Sequence, residues 1–178
     1  MNKFKKHILI YLLCPIFVIG LAAFTVSPQD ASVKVKSAYL INFLKFISWP
    51  DDKSKEITIG FFGESQVEDF LNKTKGIAEQ KAKIKINTMH FTSSASVNNV
   101  DILYVTSFKD FKKDDALIKK MSDENVLIVT SRTISQPKNS CINFIVLDGK
   151  VRFEIDNNQL KKNGLKASAQ LLKLSYKR

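Results

Sequence analysis

Apolar and polar positions are most legible in INFIVLDGKVRFEIDNNQLKKNGLKASAQLLKL, residues 142–174. Two six-residue runs, 142–147 and 150–155, flank Asp148-Gly149. An Asp-Gly pair between such runs predicts a type I′ hairpin, because both central residues must take positive φ. A two-residue loop sets the register, placing Val146 opposite Val151, Phe144 opposite Phe153 and Ile142 opposite Ile155. Those six apolar side chains share one face, which is expected to join a core. The other face pairs Leu147 with Lys150, Ile145 with Arg152 and Asn143 with Glu154, a mixed surface open to a helix, a ligand or a partner. Beyond the hairpin, Asp156 or Asn157 caps a short helix that stops at Gly164, and a last helix carries Leu171, Leu172 and Leu174.

Upstream, the pattern predicts a first helix over 33–47, ended by Trp49-Pro50. Val33, Ser37, Leu40, Leu44 and Ile47 make one seam; Tyr39, Phe43 and Phe46 make a second. Ala38, Asn42, Lys45 and Trp49 line the strip between them. A helix apolar on two seams is either deeply buried or has its back on another protein. A strand over 56–62 turns through Gly63-Glu64-Ser65 into a helix ending at Gly76, with Val67, Phe70 and Leu71 inward. Residues 83–91 alternate Ile84, Ile86, Thr88 and His90 against Lys85, Asn87, Met89 and Phe91, as an edge-lying strand does. After a polar loop, 92–99, the run 100–106 (VDILYVT) reads as a strand buried on both faces. A helix over 108–122 places Phe111, Leu117, Ile118 and Met121 inward. A buried strand over 125–130 and a loop over 131–140 lead to the hairpin. Strands alternating with helices define an α/β fold. It is expected to be a single domain with a mostly parallel sheet of about six strands, a C-terminal antiparallel hairpin and helices on both faces.

The N-terminus changes the picture of where this domain works. Residues 1–23 read as a signal peptide: Lys3, Lys5 and Lys6 precede an apolar run, and Ala22 and Ala23 offer a cleavage site. Residues 24–32 then form a linker to the domain, 33–178. The alternative is an uncleaved anchor, since 8–26 approaches the roughly 20 residues that span a bilayer. Cleavage removes three lysines and no acid, taking the net charge from +11 to +8. The surplus is lysine; the arginines are Arg132, Arg152 and Arg178. No run interleaves aromatics with arginine, so nucleic acid is not an expected partner. Cleavage also leaves His90 and Cys141 as the only histidine and cysteine. A single cysteine closes no internal disulfide; it is either a small buried hydrophobe or a thiol able to bridge two chains.

Catalytic patterns are missing. GFFGES offers only Gly60 and Gly63, without the phosphate-loop lysine or the third glycine of a dinucleotide fingerprint. One histidine and one cysteine do not make a zinc site, and no Gly-x-Ser-x-Gly elbow exists. Asp51-Asp52 and Asp114-Asp115 are adjacent pairs with diverging side chains, read as a turn and a helix start. His90 reads as an ordinary strand residue. The chain is therefore expected not to be an enzyme and to need no metal or cofactor. Ligands of open α/β sheets sit off the carboxyl ends of the strands. That rule nominates Glu64, Ser65, Ser107, Ser131 and Arg132 as a small polar pocket, although turn and cap chemistry accounts for the same residues. Asn143, Arg152 and Glu154 on the mixed hairpin face join them, since Arg152 suits a carboxylate or phosphate.

Two blocks, VKSAYLINFLKFISWP and INFIVLDGKVRFEIDNNQLKKNGLKASAQLLKL, resemble the YfiR family of exported bacterial proteins, and ITIGFFGES and VDILYVTS fit the intervening strands. The resemblance covers roughly 35–174. It implies a periplasmic regulator without catalytic activity that binds the periplasmic domain of an inner-membrane diguanylate cyclase and holds it inactive. Cyclic-di-GMP and biofilm formation would fall accordingly. Other relatives serve different membrane sensors, so the alternative is a small-molecule-binding subunit of a membrane histidine kinase or other receptor. The resemblance also implies a capacity to form a homodimer and to bind small ligands. Some relatives carry cysteine pairs that make disulfides and tie activity to redox state, often with a Cys entering the strand where this chain has Val100 and Asp101, so intramolecular redox control is not expected here. The doubly apolar first helix supplies the expected partner surface: Tyr39, Asn42, Phe43, Lys45, Phe46 and Trp49, with the aromatics as hot spots.

Overall fold

The computed structural model describes residues 28–51, 55–106, 108–131 and 137–177. The segment read as a signal peptide and residues 24–27 of the linker lie outside the described residues, as do Asp52, Ser107 and Arg132. Six strands form the main sheet in the order β3-β2-β4-β5-β6-β7. They are β2 (Glu56–Phe62), β3 (Lys85–Phe91), β4 (Ile102–Val105), β5 (Leu127–Ser131), β6 (Ile142–Leu147) and β7 (Lys150–Ile155). All neighbours are parallel except β6 and β7, which pair in the register expected from the Asp-Gly loop, Val146 opposite Val151 through Ile142 opposite Ile155. Asp148 and Gly149 both take positive φ, 50° and 71°. β3 does lie at an edge, and every residue of β4 is buried. The fold is one α/β domain with helices on both sides of the sheet.

The first helix, α1 (Pro28–Phe46), docks on the sheet through aromatic rings. Tyr39 lies 5.1 Å from Phe153 and 5.9 Å from Phe144, and Phe43 lies 5.6 and 5.9 Å from the same two rings. Phe144 continues to Tyr104 at 6.3 Å, and Tyr104 to Phe61 at 5.8 Å. One ladder of rings therefore links α1 to β7, β6, β4 and β2. Centroid spacings of 4.5–7 Å in tilted and edge-on arrangements are the favourable ones, each adding about 0.5–1.5 kcal/mol beyond the area buried.

Phe43, expected on the outward seam of the helix, is 0% exposed. The second seam of α1 is a core seam, because the hairpin rings Phe144 and Phe153 sit under it. The helix also begins at Pro28, inside the expected linker, as suits a proline whose missing N–H costs nothing in the first turn. The next helix, α2 (Gln66–Ala82), runs six residues past Gly76, where a Cβ would meet nothing within 4 Å. A glycine there costs only its backbone entropy, and Ala78, Glu79, Gln80, Lys81 and Ala82 are good helix formers. Lys83 ends it in the left-handed conformation.

The helix expected over 108–122 is two pieces, α3 (Phe108–Phe111) and α4 (Asp115–Asp123). Asp114 breaks the run because its carboxylate accepts from Leu117 N at 2.8 Å, an N-cap in place of a helical turn. Behind the hairpin, Asp156 caps α5 (Asn157–Lys162), and α6 (Ala169–Leu174) follows. A two-stranded antiparallel sheet between β1 (Ile47–Ser48) and β8 (Lys166–Ala167) joins the end of α1 to this tail. Pairs this short carry no period that a sequence pattern can reveal. Asn163 ties α4, β5 and α5: it accepts from Ser122 Oγ at 2.9 Å and Gln159 Nε2 at 2.7 Å, and donates to the Val126 carbonyl at 2.7 Å. Gly164 follows at φ 67°, where a Cβ would collide with the Asn125 side chain.

Phe43→Ala is expected to cost about 3–5 kcal/mol, the range for emptying a buried aromatic site. A urea melt followed by circular dichroism measures it, and a loss below 1 kcal/mol, taken roughly as a surface value, would contradict the docking described.

Candidate functional site

Since Tyr39 and Phe43 turn inward, the strip between the two seams turns outward. Lys34, Ala38, Ile41, Asn42 and Lys45 of α1 face Phe70, Thr74, Ile77, Ala78 and Lys81 of α2 across a groove of about 360 Å³. The two helices are pinned from several sides. Ser37 Oγ donates to the carbonyls of Val33, at 2.9 Å, and of Val67 on α2, at 3.3 Å. Ser65 caps α2 by accepting from Val67 N, and Glu79 accepts from Ile86 N of β3 at 2.7 Å. The groove is thus a rigid feature of the fold.

Its floor and lip are apolar and its charged lining is of one sign. Among the described residues, Lys34, Lys45 and Lys81 line it with no carboxylate. Ile77 stands 62% exposed at the lip. A second hollow of about 280 Å³ continues toward Trp49, lined by Leu44, Ile57 and Ile84, and it shares Lys45 and Ala82 with the first. Trp49 is half-buried, and its Nε1 is shielded from solvent without a hydrogen-bond partner among the described residues.

Of the expected partner surface, Asn42, Lys45 and Trp49 meet along this depression, whereas Tyr39 and Phe43 belong to the aromatic ladder and Phe46 packs half-buried against the core. The sequence reading turned Phe70 inward to the core, and it missed Ile77 and Lys81 because it stopped α2 at Gly76. Continuing the helix would have placed Phe70, Thr74, Ile77, Ala78 and Lys81 on one face by their three- and four-residue spacing.

Of the expected ligand residues, Glu64, Ser65, Ser131, Asn143, Arg152 and Glu154 are described. Ser65 is spent on the helix cap, and Glu64 is exposed, 3.6 Å from His90. Asn143 and Glu154, expected on an open hairpin face, are buried at 0% and 5% exposure. Asn143 Nδ2 donates to Glu154 Oε2 at 3.2 Å and Oδ1 accepts from Thr130 at 2.9 Å, while Thr130 Oγ1 lies 2.8 Å from Ser140. That polar cluster needs burial because it satisfies groups at the carboxyl ends of β5 and the start of β6. Ser131 is half-buried nearby and hydrogen-bonds the Tyr104 hydroxyl, which burial nevertheless pushes up to about 12. Arg152 is exposed instead, beside Leu174, Ser175 and Tyr176.

Reactive groups are shielded or salt-bridged. Burial pushes the Cys141 thiol up to about 12, so almost no thiolate exists to react. His90 is more than the plain strand residue expected: its Nδ1 lies 2.7 Å from Glu68 Oε2. That hydrogen bond, with the charge of Glu68 and Glu64, raises the imidazole above its ordinary pKa. Among the described residues, no three His, Cys, Asp or Glu side chains are grouped to hold a metal ion, and no helix is long and apolar enough to cross a membrane.

Residues 33–176 match the family model described as YfiR/HmsC-like. A comparison with curated proteins finds no match.

The His90 pair makes a signed pH prediction. Because the folded imidazole holds its proton more tightly than the unfolded one, the stabilisation is fully present below the ordinary value and is lost as pH rises through the raised one. His90→Gln is expected to lower Tm more at about pH 5.5 than at about pH 8.5, on either side of the imidazole range. Equal differences at both pH values would contradict it.

Proposed function

The chain belongs to the YfiR/HmsC-like family, a family of periplasmic regulators rather than catalysts, and on that footing we propose that it binds and represses the periplasmic domain of an inner-membrane diguanylate cyclase. Export through the signal peptide of residues 1–23 brings it to that compartment. The contact is centred on Asn42, Lys45 and Trp49, extended by Ile77 and Lys81 of α2.

One observation carries the choice of surface. Docking α1 by its aromatic seam turns the rest of the helix toward a depression that, among the described residues, joins apolar area to positive charge without a carboxylate. Burial of apolar side chains at the centre with charge at the rim is how regulatory interfaces combine affinity with steering. The inert Cys141 and the cap-bound Ser65 support a function by contact rather than by chemistry. Held against a sensor domain, such a surface represses by favouring the conformation that keeps the cyclase apart from its active arrangement.

Deleting the gene in its host is expected to raise cyclic-di-GMP, and restoring the wild-type chain to lower it. Restoring Asn42→Arg/Lys45→Glu at equal periplasmic abundance is expected to leave the level high, since a tenfold loss of affinity, about 1.4 kcal/mol, suffices. Unchanged cyclic-di-GMP on deletion would reject the function; full repression by the double variant would reject the surface.

A further inference from the structure

The groove between α1 and α2 has a second set of properties that a partner contact does not require. A second hollow adjoins it, with Lys45 and Ala82 lining both. Ile41, Phe70 and Ala78 give the groove an apolar floor, and Lys34, Lys45 and Lys81 line it without one carboxylate among the described residues. Ile77 keeps a large aliphatic side chain in water on a helix whose Val67 and Leu71 are buried. We propose that this trough binds the monomer of a single-chain anionic amphiphile, a carboxylate or phosphate head on one unbranched alkyl tail.

The chemistry follows from the lining. A trough of this volume is at the small end of ligand sites, which are mostly apolar with few polar groups that fix orientation. Nucleotides and sugars would leave their polar edges against Ile41, Phe70 and Ala78 unpaired, at a desolvation cost. A flexible alkyl tail has no such edges. Its burial removes apolar surface from water at about 25 cal/mol per Å² and covers Ile77 as well. Lysine suits the head because its ammonium is a hydrated point charge on a flexible apolar stem, which lies along the trough while the charge stays at the rim. A cationic head in the same place would meet three like charges. The site shares Asn42, Lys45, Ile77 and Lys81 with the proposed partner contact, but its test uses the isolated chain, so either reading can fail without the other.

The test is calorimetric titration of the mature protein with dodecanoate and dodecyl phosphate, each below its micelle concentration, with dodecyltrimethylammonium as the control. Saturable binding of the anions with dissociation constants in the micromolar range, about −8 kcal/mol at 1 μM, and no binding of the cation are expected. Lys34→Glu/Lys81→Glu and, separately, Ile77→Asp change exposed side chains, so circular dichroism stays native. Each is expected to weaken dodecanoate about tenfold or more. Equal binding of the cation, or unchanged affinity in both variants, would overturn the proposal. So would absence of monomer binding, with the groove then left to a protein segment. Binding confined to phosphatidylglycerol vesicles would overturn it in favour of a membrane surface.

Discussion

The ladder of rings from Phe61 through Tyr104 and Phe144 to Phe153, Tyr39 and Phe43 is the constraint on which the other features depend. It joins residues far apart in the chain, from the first helix to the last strand, so no local segment can satisfy it alone. Each ring-to-ring contact adds modestly to a burial term that is already large for aromatic side chains. Their joint effect is directional. Only one rotation of α1 about its axis puts both Tyr39 and Phe43 over the hairpin, and that rotation decides what the helix shows to solvent.

What it shows is a strip whose polarity is low and whose charge is positive. A helix with apolar residues on so many sides cannot hide all of them, and here the surplus is disposed along a groove shared with α2. The same arrangement accounts for the absence of reactive chemistry in the described core. Cys141 and Tyr104 are deep in it, and burial holds both in their protonated forms. Polar groups that do enter the interior are taken up by one another, as Asn163 with Ser122 and Gln159, or Asn143 with Thr130 and Glu154. These buried bonds supply stiffness at places where apolar packing alone leaves orientation loose.

His90 stands apart from this platform. It lies on the edge strand, salt-bridged to Glu68 and near Glu64, so its charge is set by the second helix and by the turn before it. That cluster links the edge of the sheet to α2, which forms one wall of the groove. Protonation therefore acts on the mounting of that wall rather than on the groove lining.

Local signals were enough for much of this structure. The Asp148-Gly149 loop dictated the hairpin and its register, because a two-residue turn admits few backbone solutions. Alternation and unbroken apolar runs marked the edge strand and the buried strands, and the order of elements implied a parallel sheet. Four features were beyond such signals. Whether the Tyr39 and Phe43 seam faced a partner or the protein's own core depended on rings more than a hundred residues away. The continuation of α2 past Gly76 and the division at Asp114 turned on a cap and a glycine whose cost only the surroundings set. Burial of Asn143 and Glu154 required Thr130 and Ser140 to arrive from another strand and a loop. Side-chain period is a property of one segment, and hydrophobicity says that a surface will be covered; which surface covers it is settled only when the segments meet.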